Sequence, residues 1–267
     1  MPATIGSFLR HAAVAAFLLV VAVAPASAQP PLPNPPTTGQ FMSRYDFHLA
    51  AAALSSDEAN FKWDTHFGGD FDFVDYVYGR MIFTADYQAL LGNEFRPFDP
   101  YQGNYTLEAA GSVRANGTEI VGALHHVSRH LGDRPKRFAV AWNEIDVRLL
   151  RQFQFGESTL DGRLEGGKVI ARATVDYDWT AAAEGTFRRG ITEHSSFFGH
   201  GYGQTIWVID TPGRQTQWGG KLEAGIRFTG NGGALELMAG VERMIDADPV
   251  AQVPLSWAFA GFRLVTK

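Results

Sequence analysis

The chain has 267 residues, of which 45% are hydrophobic and 13% aromatic, so it is long enough to bury a core in one β-rich domain or at most two. Its formal net charge is −5 and its basic residues are not clustered, which argues against nucleic acid as a partner. The absence of cysteine excludes a disulfide framework, a cysteine-ligated metal and a lipid-modified N-terminal cysteine.

Residues 1–28 are predicted to be an export signal. Arg10 precedes an apolar run, 12–24, and the small residues 26–28 are typical of a cleavage site. The apolar run is too short to span a bilayer comfortably, and no other stretch reaches the roughly 18 continuous apolar residues that a membrane helix needs. The sequence therefore predicts an exported protein without a membrane helix.

Residues 29–40 are rich in proline, which favours an extended polyproline II conformation over packed structure. We interpret this stretch as a tether. Residues 41–267 are then predicted to form the folded domain.

Alternation of polar and apolar residues with a period of two dominates this domain and predicts β-strands. In 61–73, for example, aromatic residues such as Phe67 alternate with charged residues such as Asp70. About twelve such segments are expected, starting near residues 43, 58, 77, 102, 117, 136, 168, 181, 202, 217, 232 and 255. The pattern is weak in 152–167, where glycines leave room for an extra hairpin.

Two architectures share this pattern, a soluble β-sandwich or barrel and an outer-membrane barrel with an apolar exterior. The lengths of the connections favour the membrane barrel, because short periplasmic turns alternate with longer external loops in that class. Tight Asn-Gly turns at 114–118 and 229–233 follow even-numbered segments. Longer polar connections follow odd-numbered segments, at 92–101, 131–137, 211–216 and 245–253. Against the membrane barrel stand the non-aromatic last residue, Lys267, and a long connection at 195–202.

The polar faces of the segments would then line the lumen. They carry both signs of charge, so they are expected to pair and to fill a narrow lumen, which weakens the interpretation as an open porin. The lumen residues are predicted to be Lys62, Arg80, Arg114, Arg148, Arg172 and Arg227 with Asp64, Asp86, Glu108, Glu144, Asp146, Asp176 and Glu223. Four tryptophans are predicted to anchor the exterior at the membrane interface, namely Trp63, Trp179, Trp218 and Trp257.

One cluster of polar residues falls on the predicted exterior. In the fifth segment, His126, Ser128 and His130 share a face with Ile120 and Leu124. In the sixth segment Asn143 shares the apolar face, and a hairpin centred near residue 134 would place it about opposite His126. A serine hydroxyl becomes a nucleophile when an imidazole accepts its proton and a third group orients the ring. Ser128, His126 and Asn143 could fill these roles, although polar residues at the headgroup belt also occur without chemistry.

The run His126-Val127-Ser128 followed by Trp142-Asn143 resembles the motif of the outer-membrane phospholipase A family, twelve-stranded barrels with a lipid-facing His-Ser-Asn site. It is also similar to the His-x-Ser of lipid A deacylase barrels. The chain departs from the phospholipase pattern at Arg129, where that family has asparagine, and in a longer loop before Asn143. The run from His126 to Asp133 further resembles an uncharacterised family of exported barrels with a His-Gln-Ser-Ser-His-Leu-Gly-Asp motif.

These resemblances imply an acyl hydrolase of membrane lipids in the bacterial outer membrane, with Ser128, His126 and Asn143 as catalytic residues. The alternative is a non-catalytic barrel with a structural or transport role. The resemblance to the phospholipase family also suggests calcium as a cofactor. Gly132 and Asp133 lie near the site, but the sequence does not identify the calcium ligands. Membrane lipids are the expected partners, with a homodimer as an open alternative.

Overall fold

The computed structural model describes residues 35–132, 138–209 and 212–266. The export signal, half of the predicted tether (29–34), Asp133 and Lys267 lie outside these residues. Twelve β-strands follow one another along the chain: β1 Gln40–Leu54, β2 Trp63–Asp75, β3 Arg80–Gly92, β4 Asp99–Ala115, β5 Thr118–Leu131, β6 Val140–Phe155, β7 Ser158–Ala173, β8 Tyr177–Thr192, β9 Ser195–Val208, β10 Gln217–Thr229, β11 Ala234–Asp248 and β12 Val253–Val265.

The strands form one closed antiparallel barrel in which each strand pairs with its neighbours in sequence. β1 and β12 close the barrel, with His48 opposite Val265 and Leu54 opposite Phe259. Closure leaves no unpaired strand edge, as a bilayer demands of a β-protein. The predicted barrel of about twelve strands is confirmed. Among the described residues, no helix is long and apolar enough to cross a membrane.

Two strands differ from the sequence prediction because glycines conceal their alternation. The region 152–167 contains no extra hairpin, since β6 runs to Phe155 and β7 starts at Ser158, not near residue 168. β9 starts at Ser195, not near 202, so the connection predicted to be long is a two-residue turn, 193–194. A Cβ atom on Gly167 would lie 1.9 Å from Glu144 Oε1. The Glu144 carboxylate therefore occupies the space that a side chain at position 167 would take, and the alternation of polar and apolar residues is interrupted there.

Connection lengths follow the expected parity. Connections after even-numbered strands have two to four residues, whereas those after odd-numbered strands reach eight. The shortest, Asn116-Gly117, has positive φ at both residues, as a type I′ hairpin turn requires. With the N-terminus of β1 and the C-terminus of β12 on the side of the short turns, that side is periplasmic and the other external.

The two faces of the barrel wall differ in polarity as predicted, with an apolar exterior and a polar interior. Leu107 and Val113 on β4, for example, are exposed on the outside, whereas Glu108 and Ser112 between them are buried inside. The soluble alternative is therefore wrong, because such a protein would expose its apolar face to water. Trp179 and Trp218 are exposed as predicted, but Trp257 is 5% exposed and points into the barrel, where its Nε1 donates to Glu242 Oε2 at 3.1 Å.

Buried ion pairs fill much of the lumen. Arg80 is 0% exposed and binds Glu119 (Nε to Oε1, 2.9 Å) and Asp72 (Nη1 to Oδ2, 3.0 Å). Arg148 binds both oxygens of Glu108 at 2.6 and 2.5 Å. Such pairs offset the cost of removing charges from water only when their hydrogen bonds are satisfied, and Arg80 donates to carboxylate oxygens from Nε, Nη1 and Nη2.

The external end of the lumen is apolar. Phe61, from the connection after β1, lies 5.1 Å from the Tyr101 ring and 5.8 Å from the Trp257 ring, centre to centre, in a buried cluster. At its rim, Arg214 contacts Asp246 and lies 2.7 Å from Asp176 (Nε to Oδ2). Burial alone would lower the pKa of the Arg214 guanidinium, but these carboxylates raise it above its usual value, so Arg214 stays protonated.

We expect the purified barrel to show no steady single-channel conductance in planar bilayers. The apolar cluster near the external end and the buried ion pairs below it are expected to obstruct the described part of the lumen. A non-selective porin of comparable strand number, recorded under the same salt, serves as the positive control. Regular conductance steps from the wild-type protein would show that the lumen is open and that the transport alternative holds.

Candidate functional site

The predicted site lies on the external half of β5, on the outer face of the barrel. Leu124 on the same face is 51% exposed, and the opposite face carries the buried Val121 and Ala123. Period-two alternation therefore places His126, Ser128 and His130 outside, beyond Leu124 towards the external end. A lipid-exposed strand thus becomes polar near its end.

Asn143 on β6 lies directly opposite His126, the register that the sequence predicts. Nδ1 of His126 is 2.6 Å from Oδ1 of Asn143. Because an amide oxygen only accepts hydrogen bonds, this contact requires a proton on Nδ1 of the imidazole. In the neutral ring the other nitrogen, Nε2, then carries a lone pair and can accept a proton. Asn143 thus holds His126 in the tautomer that a general base needs.

A β-bulge adjoins this pair. Asn143 is opposite Ala171 on β7, whereas the next residue, Glu144, is opposite Val169, so Ile170 is the extra residue. Bulges are over-represented next to active sites, where they redirect side chains. Here Asn143 stays on the exterior, and Glu144 turns into the lumen, where it accepts a hydrogen bond from Thr180.

Ser128 is hydrogen-bonded to His130 in this structure. The hydroxyl Oγ is 2.8 Å from His130 Nε2, and among the described residues no hydrogen bond joins it to His126. The ring of His130 meets the Tyr105 ring edge-on at 5.4 Å. The structure thus brings His126 to Asn143 and Ser128 to a second imidazole. The His-x-Ser-x-His spacing contained this pairing, but the sequence alone assigned His130 no role.

A rotation about the Cα–Cβ bond of Ser128 would turn its hydroxyl towards His126. Residues i−2 and i+2 both flank residue i on the same face of a strand, so either imidazole is a neighbour of Ser128. The bond to His130 contributes only about 0.5–1.5 kcal/mol, as neutral hydrogen bonds do. Side-chain rotations of this kind take picoseconds to nanoseconds in exposed residues. The observed arrangement is therefore easily exchanged for one in which Ser128 contacts His126.

The aromatic side of the site depends on one glycine. Gly103 on β4 is opposite His130, and a Cβ atom there would lie 2.6 Å from the hydroxyl of Tyr87. The Tyr87 ring in turn lies 4.9 Å from the Tyr105 ring. Gly103 therefore lets the two tyrosines pack beside His130 and close one flank of the site.

The described residues do not provide a calcium site at Ser128. The best metal-like group, Glu108, His125 and Asp146, has ligand atoms within 4.8 Å of one another, but it faces the lumen, behind the site. Arg148 already neutralises it, with its Nε 2.7 Å from Asp146 Oδ1 and two bonds to Glu108. These residues thus do not fit a calcium ion that would act on the exterior hydroxyl.

β5 is also held from the lumen side. Arg129, between Ser128 and His130, donates from Nη1 to the backbone oxygen of Asp246 on β11 at 2.6 Å. Its guanidinium also lies 5.6 Å from the centre of the Trp142 ring. Asp246 itself has a positive φ of 45° within a bulge of β11. The strand that carries the site is therefore tied across the external mouth of the barrel.

No protein-family model matches the chain, and no curated protein matches it. Solved structures do. Outer membrane phospholipase A from Escherichia coli matches with a TM-score of 0.51 and 10% identity, covering 83% of this chain and 92% of that one. The calcium-bound outer membrane phospholipase dimer of Salmonella typhi matches with a TM-score of 0.50 and 11% identity, covering 87% and 93%. At such identities the likeness concerns the fold, for which the suspected resemblance to phospholipase barrels is confirmed.

Proposed function

We propose that this β-barrel of the bacterial outer membrane hydrolyses acyl esters of membrane lipids at its exterior site, with Ser128 as nucleophile, His126 as general base and Asn143 as the group that orients His126. The chain has the closed twelve-stranded fold, apolar exterior and periplasmic turns of outer-membrane barrels. The alternative is a non-catalytic barrel in which the same residues only face the headgroups.

The hydrogen bond between His126 and Asn143 carries the proposal. Polar side chains that face hydrocarbon are costly, so they usually have a partner or a function. Here the partner fixes the imidazole in the tautomer that can accept a proton, and a serine is the next residue on the same face.

In the proposed reaction, Nε2 of His126 takes the proton from Ser128 as Oγ attacks the ester carbonyl carbon. Backbone amides near Ser128 would stabilise the negative oxygen of the tetrahedral intermediate. Collapse breaks the ester bond, and His126 returns the proton to the leaving alcohol. Water, deprotonated by the same imidazole, then releases the fatty acid from Ser128 and restores the hydroxyl.

The location of the site suits this substrate. Lipid acyl esters lie at the boundary between headgroups and hydrocarbon, and the site begins where the exterior of β5 changes from apolar to polar. Aromatic residues that typically mark such boundaries flank it, with Tyr105 opposite Ser128 on β4. A lipid could therefore present its ester to Ser128 without leaving the bilayer.

We expect purified wild-type protein in mixed micelles to release fatty acid from a phospholipid or from lipid A, and Ser128→Ala to release at least about a thousandfold less. Mass spectrometry of the lipid products measures both, with and without calcium. Ser256→Ala, which removes an exposed serine from the exterior of β12, is the matched control and should behave as wild type. Absence of release by the wild type, or equal release by Ser128→Ala, would leave the non-catalytic barrel.

A further inference from the structure

A lysine lies on the lipid-facing side of the barrel close to the candidate site. Lys168 on β7 is opposite the exposed Ile145 on β6 and the exposed Trp179 on β8, and directly paired residues of antiparallel strands share a face. A lysine on this face is costly at the bilayer midplane and much less costly near the interface. Its row continues to the exposed Trp207, opposite Trp179. Such tryptophans mark the headgroup level.

The side chain of Lys168 is fixed but not enclosed. Its Nζ is 2.6 Å from Asp178 Oδ1 and 4.7 Å from the centre of the Trp179 ring, and the side chain is 38% exposed. A second cation reaches the same carboxylate from the other face of β7, since Arg172, predicted to line the lumen, is opposite Trp142. Its Nη1 donates to the backbone oxygen of Tyr177 and lies 3.5 Å from Asp178 Oδ1. Two positive charges thus face one negative charge. The described contacts leave this external patch with an excess of one positive charge.

We propose that Lys168, Arg172 and Trp179 form a binding site for the phosphate group of a membrane lipid. Phosphate oxygens accept charge-assisted hydrogen bonds from ammonium and guanidinium groups, and the Trp179 ring supplies the flat surface on which a headgroup can rest. Asp178 brings the two cations together, because both lie next to its Oδ1. Binding of a phosphate at this site does not require ester cleavage, so the site is a function additional to the proposed hydrolysis.

The position of the patch relative to Ser128 indicates which lipid could occupy both sites. Lys168 is two strands from Ser128 and, by register, four residues nearer the periplasmic end of β6, a separation of roughly 16 Å between Cα atoms. The ammonium leans away from Ser128, towards β8. Only a few bonds separate phosphate from acyl ester in a glycerophospholipid. A phosphorylated, multiply acylated disaccharide such as lipid A spans the distance more readily.

Native mass spectrometry of Ser128→Ala protein tests the site, because this background cannot turn over a bound lipid. The probes are phosphatidylglycerol, lipid A with its phosphates and lipid A from which the phosphates have been removed. We expect Lys168→Met to weaken the binding of a phosphate-bearing lipid about tenfold, and Lys168→Arg to restore it. Arg151→Met is the matched control, since it removes an exterior cation that also lies over an aromatic ring, 5.4 Å from the Phe153 centre, at the periplasmic end.

A lysine-dependent loss with either phosphate-bearing lipid supports the site and identifies its source, lipid A or a glycerophospholipid. Equal binding by Lys168→Met and its parent, an equal loss in Arg151→Met, or the same lysine dependence with dephosphorylated lipid A would overturn it. If Lys168→Met fails to fold, the Lys168→Arg comparison at raised ionic strength decides, since a phosphate contact weakens with salt. Failure of wild-type hydrolysis would refute the esterase and leave this binding result standing.

Discussion

His126→Ala is expected to lower the rate of fatty acid release by about three orders of magnitude or more, whereas His130→Ala should change it less than about tenfold. His126 has a partner, Asn143, that fixes its tautomer through the 2.6 Å contact. The bond of His130 to Ser128 contributes about 0.5–1.5 kcal/mol and must be broken before Ser128 reaches His126, so its loss should be neutral or mildly activating. Initial rates in mixed micelles at saturating lipid measure both effects.

Two further variants distinguish the loss of the proposed general base from the loss of a residue that orients it or lies elsewhere. His194→Ala removes an exposed histidine of a periplasmic turn and should leave the rate unchanged. Asn143→Ala should reduce the rate, but less than His126→Ala, because the ring keeps its lone pair for part of the time. If His130→Ala abolished release and His126→Ala did not, the 2.8 Å contact with Ser128 would be the catalytic one, and our assignment of the base would be wrong.

Arg80→Met is expected to lower the free energy of unfolding by about 3–5 kcal/mol, among the largest effects that a single lumen substitution can have. Arg80 is the shared partner of Asp72 and Glu119, all three of which are buried. Its removal leaves two like charges close together without a cation, away from water. Urea titration, followed by the difference in gel mobility between heated and unheated samples, measures the change.

Adding Asp72→Asn and Glu119→Gln to Arg80→Met should recover part of the loss, because the stranded charges are then removed. Arg151→Met, an exposed exterior arginine, should change the free energy of unfolding by less than about 0.5 kcal/mol. A loss below about 1 kcal/mol for Arg80→Met would show that water or counter-ions reach these groups, and that the lumen is more open than its packing indicates.

The strand count could be predicted from sequence because the two faces of a barrel wall differ in chemistry at nearly every position. The prediction failed in the segments where the two faces do not differ in polarity. β9 places the half-buried Gly199 and Gly201 on the outside and buries the larger Phe198 and Tyr202 inside, which reverses the usual contrast. Trp257 was assigned to the wrong face for a related reason: near the external end the lumen is apolar too, so polarity no longer distinguishes inside from outside.

The candidate site could likewise be predicted only in part. The register of His126 with Asn143 follows from counting residues across one hairpin, so it could be predicted. The choice of Ser128 between His126 and His130 depends on one side-chain torsion, which periodicity does not determine. The patch around Lys168 joins the site through a third strand, β7, whose start was concealed by glycines. Contacts that depend on that strand were therefore beyond the sequence prediction.

The bond from Arg129 to the backbone of Asp246 has a consequence for the cost of catalysis. It ties the segment between Ser128 and His130 to the far wall of the barrel, so the backbone at Ser128, the proposed nucleophile, is ordered before any lipid binds. An enzyme that binds a mobile acyl chain must otherwise order both the chain and itself in the transition state. Here the backbone at Ser128 has already lost its conformational entropy during folding, so binding a lipid does not have to order it again. The site is preorganised, and only the lipid and one serine torsion remain to be fixed.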